Sequence, residues 1–283
     1  MENLNWTGER LTTGLEQVHG VVEHLHRYAI AQNSAKDKVV LDIASGEGYG
    51  SFLLSKTAQQ VYGVDIDQSS VNHANKKYVK NNLQYLQGST DNIPLQDNSV
   101  DIVFSFETLE HHDRHDKMMQ EISRVLKQDG CLYISSPEKS IYKQRDPNNP
   151  FHILELTFKE FEELINKYFK YSHFFQQRFV IGSLIHSVNT EANSTFKMFD
   201  GNYSQISEGL NEDDFYNKSF FNLAICSNTD LKDHTIIKSS IFNGVDVIKN
   251  ELNELRISNQ KVLNSKSYKL GNWFVRKLLF LKK

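Results

Sequence analysis

Short apolar strands alternate with helical stretches between Lys38 and Ser136, and this alternation constrains the fold more than any other feature of the sequence. Each apolar run is short enough for a single strand, and the stretch that follows carries apolar residues at helical spacing. The predicted strands are Val39–Ile43, Val61–Asp65, Leu83–Leu86, Val100–Phe106 and Leu132–Ser135. Such an alternation predicts an α/β fold in which a parallel sheet has helices on both faces.

Further elements flank this alternation. The predicted helices are Val18–Ala31, one that opens near Gly48, Ser69–Val79, Arg114–Lys127 and 158–168. The last of these opens with a capping box, because Glu160 follows Thr157 at the required spacing. Apolar runs predict two late strands, at 171–185 and at 219–226.

The chain is predicted to divide into three parts. Residues 1–37 are expected to form an N-terminal lid and helix, and residues 38–228 form the main domain. Within that domain, residues 189–216 are polar and turn-rich, which indicates an insertion. Residues 245–283 are expected to form an amphipathic helix and a basic tail.

The overall composition limits the classes of function. The net charge is −3 in 283 residues and no domain is basic, which disfavours a nucleic-acid partner. Cys131 and Cys226 lie in apolar runs and are expected to be buried thiols, as in a reducing compartment. The first ten residues lack the apolar stretch of a signal peptide, and no run reaches the ~18 apolar residues of a spanning helix. We expect a cytoplasmic protein that is able to lie at the inner face of a membrane.

The most specific motif follows the first predicted strand, where Ala44, Gly46 and Gly48 form a turn of small residues. Such a turn lets a ligand lie against the backbone at the start of a helix. The second strand ends at Asp65, whose carboxylate is suited to the two hydroxyls of a ribose. Ser51 stands where a dinucleotide fingerprint has its third glycine, which disfavours an NAD-dependent oxidoreductase.

This stretch resembles the D/E-x-G-x-G-x-G motif of class I S-adenosylmethionine-dependent methyltransferases, with Asp42 as the acid and Ala44 in place of the first glycine. The resemblance covers roughly residues 20–226. It implies a Rossmann-like, doubly wound sheet of seven strands, mixed because 219–226 runs antiparallel, and S-adenosyl-L-methionine as the cofactor. The alternative is a Rossmann-like fold that binds another nucleotide.

The same resemblance implies which residues bind the cofactor. At the methionine end they are Asp42, Ala44, Gly46 and Gly48. Asp65 is the implied residue at the ribose, and Ile66 is the implied residue on the adenine face. The segment Ser89, Thr90 and Asp91 is implied at the adenine edge. Beside the sulfonium, the implied residue is Phe106.

A second motif, Glu107-x-x-Glu110-His111-His112, follows the fourth predicted strand. Open parallel sheets bind ligands at the carboxyl ends of their strands, so we expect these side chains at the reaction centre. If the segment is helical, the first, fourth and fifth residues share one face, which would bring Glu107, Glu110 and His111 together. The alternative is that both glutamates accept backbone N–H bonds at a helix start.

The E-x-x-E-H-H string resembles one found in metal-dependent O-methyltransferases of ubiquinone biosynthesis and of small-RNA 3′ ends. The resemblance implies a metal site made of Glu107, Glu110, His111 and a later histidine, for which His152 is the candidate. Carboxylates and imidazoles together suit Mg²⁺ or Mn²⁺. During catalysis, we expect Glu107, His111 or His112 to accept the proton of an acceptor hydroxyl.

Several stretches together resemble methyltransferases of bacterial surface-polysaccharide (O-antigen) gene clusters, namely GER…EHLHRY, LDIASGEGYGS, GVDID, FETLEHH and NPFH. The resemblance implies methylation of a sugar hydroxyl, or of a phosphate, in a surface glycan or its lipid-linked precursor. Two alternatives stay open. The acceptor is the 3′ end of an RNA, or the chain is a non-catalytic cofactor-binding module of a glycan-assembly complex.

The C-terminal tail combines apolar periodicity with positive charge. Apolar residues between Val245 and Val262 follow a 3-4 heptad pattern in which Asn259 fills one slot. The pattern is too short to predict a coiled coil, and homo-oligomer contacts through 245–263 stay open as one role for it. Residues 266–283 contain six Lys or Arg and no acid, around Trp273 and Phe274. This segment is expected to contact a membrane surface or a glycosyltransferase, and the alternative is packing against its own domain.

Overall fold

A seven-stranded sheet runs through the part of the chain that the computed structural model describes, which is residues 18–180, 199–201, 206–209, 218–231 and 240–280. The strands are β1 (Val39–Ile43), β2 (Gln60–Asp65), β3 (Leu83–Gln87), β4 (Val100–Phe106), β5 (Leu126–Pro137), β6 (Tyr171–Gln177), β7 (Phe199–Gly201), β8 (Ile206–Glu208) and β9 (Phe221–Ser227). The spatial order in the large sheet is β3-β2-β1-β4-β5-β9-β6, and β7 pairs with β8 separately.

One strand makes this sheet mixed. Strands β1 to β5 run parallel to one another, whereas β9 runs antiparallel to both β5 and β6. The strand order reverses between β1 and β4, and open sheets bind ligands in the crevice at such a point. The expected Rossmann-like sheet of seven strands is confirmed, with its antiparallel strand at β9.

The helices are α1 (Val18–Ser34), α2 (Tyr49–Leu54), α3 (Gln68–Lys77), α4 (His115–Val125), α5 (Lys139–Arg145), α6 (Phe158–Tyr168), α7 (Val245–Asn264) and α8 (Lys266–Phe280), with a 3₁₀ turn at Leu109–His111. Capping side chains set some of their starts. The predicted capping box of Thr157 and Glu160 is present at α6, and the Asp67 carboxylate accepts a bond from Ser69 N at α3.

Two apolar layers cover the two faces of the sheet. Met118 of α4 and Phe161 of α6 belong to one layer, and Ala31 of α1 and Leu54 of α2 belong to the other. Burial of one large apolar side chain stabilises the fold by about 1.5–3 kcal/mol relative to its exposure. These layers hold the strand ends in place, and with them the loops that follow each strand.

The bounds of α4, β5 and β6 differ most from the prediction. The helix predicted at Arg114–Lys127 ends at Val125, because Leu126 already pairs with Val100 in a β5 that is longer than predicted. The strand predicted at 171–185 ends at Gln177, which pairs with the first residue of β9. Residues 181–185, most of 189–216, residues 1–17 of the predicted lid and 281–283 of the tail lie outside the described residues.

Two expectations about the interior and the tail can be compared directly with the structure. Cys131 and Cys226 are buried free thiols, as expected, and burial raises the pKa of each. Among the described residues, no helix combines the length and the apolar character that crossing a bilayer would require.

Candidate active site

A cavity of about 1120 Å³ opens at the carboxyl ends of β1, β2 and β4. Its wall contains the first residues after each of these strands, together with residues of α1 and of the polar loop that precedes α6. Both sequence motifs therefore face the same space, as their positions after parallel neighbouring strands predict.

The turn after β1 has an unusual backbone. Ala44 has a φ of 59° and Gly46 a φ of 55°, so both are in the left-handed region, which is uncommon for a residue other than glycine. The turn is held by Ser45 N, which donates to Val64 O at 2.9 Å, and by Gly46 N, which donates to Asp65 Oδ2 at 2.7 Å. A small side chain at position 44 thus lets the backbone itself form the cavity wall.

Seven of the ten predicted cofactor residues line this cavity: Ala44, Gly46, Asp65, Ile66, Ser89, Thr90 and Phe106. The Asp65 carboxylate spans the turn, since its Oδ1 accepts a bond from Asp67 N at 2.9 Å while its Oδ2 accepts the bond from Gly46. Each of these oxygens keeps a further lone pair for a ligand. Ile66, at this wall, is 69% exposed.

Asp42 does not line the cavity. Its Oδ2 accepts a bond from Ser51 Oγ at 2.6 Å, and its Oδ1 accepts one from Tyr28 Oη at 3.1 Å. Burial raises the pKa of Asp42 to about 6, although the bonds from Ser51 and Tyr28 act in the opposite direction. Asp42 therefore supports the turn from behind, and its bond from Tyr28 joins the turn to α1.

Gly48 and Asp91 also lie outside the cavity wall. Gly48 has a φ of 96°, and a Cβ there would approach Ala74 Cβ to 2.7 Å, so a larger residue would displace α3. Asp91 forms an ion pair with Arg114 and accepts a bond from Ser89 Oγ at 2.6 Å. Both residues shape the loops around the cofactor residues.

The segment after β4 also begins with a left-handed residue, since Glu107 has a φ of 54°. This turn, which we call the β4 elbow (107–112), differs from the helical arrangement considered above. Glu107 Oε1 accepts a bond from Ser135 Oγ at 2.5 Å and lies 3.6 Å from Arg27 Nη1. The structure therefore directs Glu107 towards α1 and β5, away from the other predicted metal ligands, although it still lines the cavity.

The other three predicted ligands converge. Ligand atoms of Glu110, His111 and His152 all lie within 4.8 Å of one another, and all three residues line the cavity. Backbone bonds hold the two segments together, because Ile153 N and Leu154 N donate to Glu110 O at 2.7 and 3.1 Å. The polar loop before α6 is thus fixed against the β4 elbow.

Neighbouring groups orient both histidines. His152 Nδ1 lies 2.6 Å from Glu155 Oε1, and His111 Nδ1 lies 3.2 Å from Phe151 O. Each acceptor favours a proton on Nδ1 and leaves Nε2 as the ligand atom, which is the usual arrangement around metal-binding histidines. Glu155 was not predicted, because a carboxylate three residues after a histidine is too common a pattern to be informative.

His112 faces the cofactor side of the cavity. Its Nδ1 accepts a bond from Arg114 N at 3.2 Å, and its Nε2 lies 3.2 Å from Thr90 Oγ1. Burial, followed by the charges of His115 and Arg114, lowers the pKa of His112 to about 4. A base with this pKa is weak near neutrality, so the position suits orientation of the adenine-edge segment better than proton transfer.

A buried cation connects α1 to the β4 elbow. Arg27 is 1% exposed, and its Nη1 donates to Gln177 Oε1 at 2.7 Å beside Glu107. Its guanidinium also stacks on Phe221, 4.8 Å from the ring centroid. Removing one partner of such a pair leaves a buried charge uncompensated, so the network fixes α1 as a wall of the cavity.

Part of the chain matches known proteins. Residues 41–134 match the family described as "Methyltransferase domain". A probable S-adenosylmethionine-dependent methyltransferase of Mycolicibacterium smegmatis is 34% identical over 162 residues, which are 56% of this chain and 62% of that protein. A protein of Mycobacterium tuberculosis with the same description is 34% identical over 170 residues, covering 57% of this chain and 60% of the relative. The chain therefore spans less than two thirds of the length of these relatives.

Solved structures share the fold at low identity. A methyltransferase from Haloferax volcanii, in complex with the activator Trm112, has a TM-score of 0.55 and 18% identity over 74% of this chain and 90% of that chain. An S-adenosylmethionine-dependent methyltransferase from Thermotoga maritima has a TM-score of 0.51 and 18% identity over 74% of this chain and 92% of that chain. At this identity these likenesses show the fold alone, and the match to the methyltransferase-domain family spans residues 41–134.

Proposed function

We propose that this chain is an O-methyltransferase that moves the methyl group of S-adenosyl-L-methionine to a sugar hydroxyl, or to a phosphate, of a surface glycan or its lipid-linked precursor. One observation carries the proposal: a single cavity holds the small-residue turn after β1 and, facing the same space, the group of Glu110, His111 and His152. We place this reaction in the cytoplasm at the inner face of the membrane, where a lipid-linked acceptor is within reach.

The turn after β1 fits the cofactor. Ala44 and Gly46 let the backbone form the wall, and Asp65 offers a carboxylate at the end of β2. The exposed Ile66 side chain supplies an apolar surface on which a purine can lie. When bound, the cofactor supplies an electrophilic methyl group on a sulfonium.

The group of Glu110, His111 and His152 fits a divalent cation, for which we propose Mg²⁺ or Mn²⁺. One buried carboxylate and two imidazoles with oriented Nδ1 atoms form a mixed oxygen and nitrogen set. When bound, such a cation lowers the pKa of a hydroxyl and fixes its direction. The three residues hold that position because the loop and the β4 elbow are joined through the Glu110 carbonyl.

Glu107 is the proposed proton acceptor. Ser135 and Arg27 hold its Oε1, and this fixes the carboxylate at the cavity wall. As the acceptor oxygen bonds to the methyl carbon, its proton moves to Glu107, and the carbon–sulfur bond breaks. Fixed orientation of this kind lowers the entropic part of the barrier.

The rim of the cavity suits a saccharide. Tyr142, Asp146 and Asn149 line it beside His152, so an aromatic ring, a carboxylate and an amide lie near the cation ligands. Tyr142 stacks on His152 with a centroid distance of 4.8 Å. A few polar groups beside an aromatic surface are typical of pockets that orient a polar ligand.

One relative suggests a different acceptor. A fatty-acid O-methyltransferase of Mycolicibacterium smegmatis is 27% identical over 117 residues, which are 38% of this chain and 43% of that protein. Its acceptor would present a carboxylate in place of a hydroxyl. The rim described above favours the saccharide.

A labelled-transfer experiment tests the proposal. The full chain is incubated with labelled S-adenosyl-L-methionine and, separately, with lipid-linked oligosaccharides, fatty acids and an RNA oligonucleotide. We expect label only in the saccharide fraction, loss with EDTA, and recovery with Mg²⁺ or Mn²⁺. Label in fatty acid or RNA would contradict the acceptor, and full activity in EDTA would contradict the metal.

A further inference from the structure

We infer that α8 docks on an anionic lipid bilayer. The docking is argued from α8 itself, and only the statement that it serves a lipid-linked acceptor rests on the proposed function. Helix α8 has 15 residues, none of them acidic, and it contains Lys266, Lys269, Arg276 and Lys277. Its charge is therefore +4 within four turns. An anionic bilayer surface is the partner that such a charge complements.

Four of the described side chains of α8 are large, apolar or aromatic, and exposed. Tyr268, Leu270, Trp273 and Phe274 are 43%, 58%, 49% and 53% exposed. Exposed large apolar side chains that lie together indicate an interaction surface. Aromatic and aliphatic side chains among lysines are typical of helices that lie in the membrane interface, where rings sit at headgroup level.

The neighbouring helix shows why a bilayer is favoured over a second copy of the chain. Helix α7 contains Asp246, Glu251 and Glu254 along with Lys249, Arg256 and Lys261, so its charges balance. Two copies of α7 could pair without repulsion. Two copies of α8 would bring together eight positive charges without an acid on either helix to offset them.

The stem of the tail, residues 240–244, packs against α1, and α1 contributes to the cavity wall. A Cβ at Gly244 would lie 2.7 Å from Val22 Cγ2, and His26 Nε2 lies 2.9 Å from Ser240 Oγ, so the chain before α7 packs closely on α1. Residues His19 and Glu23 of α1 line the cavity. Helix α7 then extends for 20 residues, or about 30 Å, before α8 begins. A docked α8 would therefore tether the domain that holds the cavity to the surface that carries lipid-linked acceptors.

Vesicle flotation of the full chain tests this inference. The vesicles are phosphatidylglycerol with phosphatidylcholine, or phosphatidylcholine alone. We expect binding only to the anionic vesicles, with a roughly tenfold or greater loss in the double variant Lys266→Glu and Lys269→Glu. The matched control is Lys36→Glu with Lys76→Glu, two exposed lysines outside the tail that undergo the same change of charge.

A second pair of variants, Trp273→Ser and Phe274→Ser, tests the apolar contribution at unchanged charge. The inference is overturned if the unaltered chain stays off anionic vesicles, or if the control variant loses binding as much as the α8 variants. It is also overturned if the α8 variants abolish a dimer that the unaltered chain forms in analytical sedimentation, while neither kind of vesicle binds the protein. The affinity for S-adenosylhomocysteine is measured in parallel. A chain that lacks this affinity contradicts the proposed function, whereas a chain that has the affinity but binds no vesicles contradicts only the membrane inference.

Discussion

Two loops at the carboxyl edge of the sheet begin in the same way and are built differently. Ala44 is the first residue after β1, and Glu107 is the first residue after β4. Both adopt a left-handed backbone conformation. After β1, backbone atoms and small side chains form the wall. After β4, charged side chains and their distant partners form it, with Arg27 and Ser135 holding Glu107.

The difference separates two tasks. A backbone turn presents a surface that a nucleoside can lie against, and it needs few particular side chains. A charged elbow can bind a cation and move a proton, and it depends on each partner being in place. Variants of the elbow should therefore change turnover, whereas variants around the turn should change stability or cofactor affinity.

Replacing Glu110 should have the largest effect and should leave the turn unaffected. In Glu110→Gln the charge of the proposed cation site is lost, and a cation supplies several kcal/mol to such a reaction, so transfer should fall roughly a thousandfold. S-adenosylhomocysteine affinity should stay within about threefold in calorimetry. The control is Glu163→Gln, whose side chain is 67% exposed on α6. Retained transfer in Glu110→Gln would end the metal hypothesis.

Replacing Asp42 should change the pH dependence of stability. Burial raises the pKa of Asp42 from 3.8 to about 6 in the folded chain. Between pH 4 and pH 6 the folded chain therefore keeps a proton that the unfolded chain has lost, and the free energy of unfolding falls as pH rises. The loss is about 3 kcal/mol for this group. Asp42→Asn should therefore gain stability relative to the unaltered chain from pH 4 to pH 6 and stay level above it. Urea unfolding at each pH measures this.

The exposed Asp37 provides the comparison for that experiment. Asp37 also has left-handed backbone, which asparagine tolerates, so Asp37→Asn is the matched control for the removal of one exposed carboxylate. If Asp42→Asn and Asp37→Asn changed the pH dependence of stability equally, Asp42 would be exposed to solvent in the cavity, contrary to the account.

Replacing Glu155 should have the smallest effect. Glu155→Gln keeps a weaker acceptor for His152 Nδ1, and loss of such a partner typically lowers metal affinity by 10–100-fold, so we expect about tenfold. Titration with Mn²⁺, followed by electron paramagnetic resonance of the free ion, measures the change. Unchanged Mn²⁺ affinity would show that Glu155 plays no part in orienting a ligand.

The same contrast explains what the sequence could predict. Strands, the turn after β1 and Asp65 follow from apolar runs and small residues that act locally. The direction of Glu107 depends on Arg27, eighty positions earlier, and no local pattern encodes that pairing. Asp42 was assigned to the cofactor by its place in the motif, yet Tyr28 and Ser51 enclose it. His152 lies beside Glu110 because the loop that contains His152 bonds to the Glu110 carbonyl, and this contact is defined only in the folded chain.

The central claim is that the turn after β1, closed by Asp65, binds an adenosine-containing sulfonium cofactor, and calorimetry with S-adenosylhomocysteine tests it most directly. We predict one saturable site, a roughly thirtyfold or greater loss of affinity in Asp65→Ala, and less than about threefold in Asp91→Ala, which lies outside the cavity wall. No heat with the unaltered chain, or equal losses in the two variants, would contradict the account.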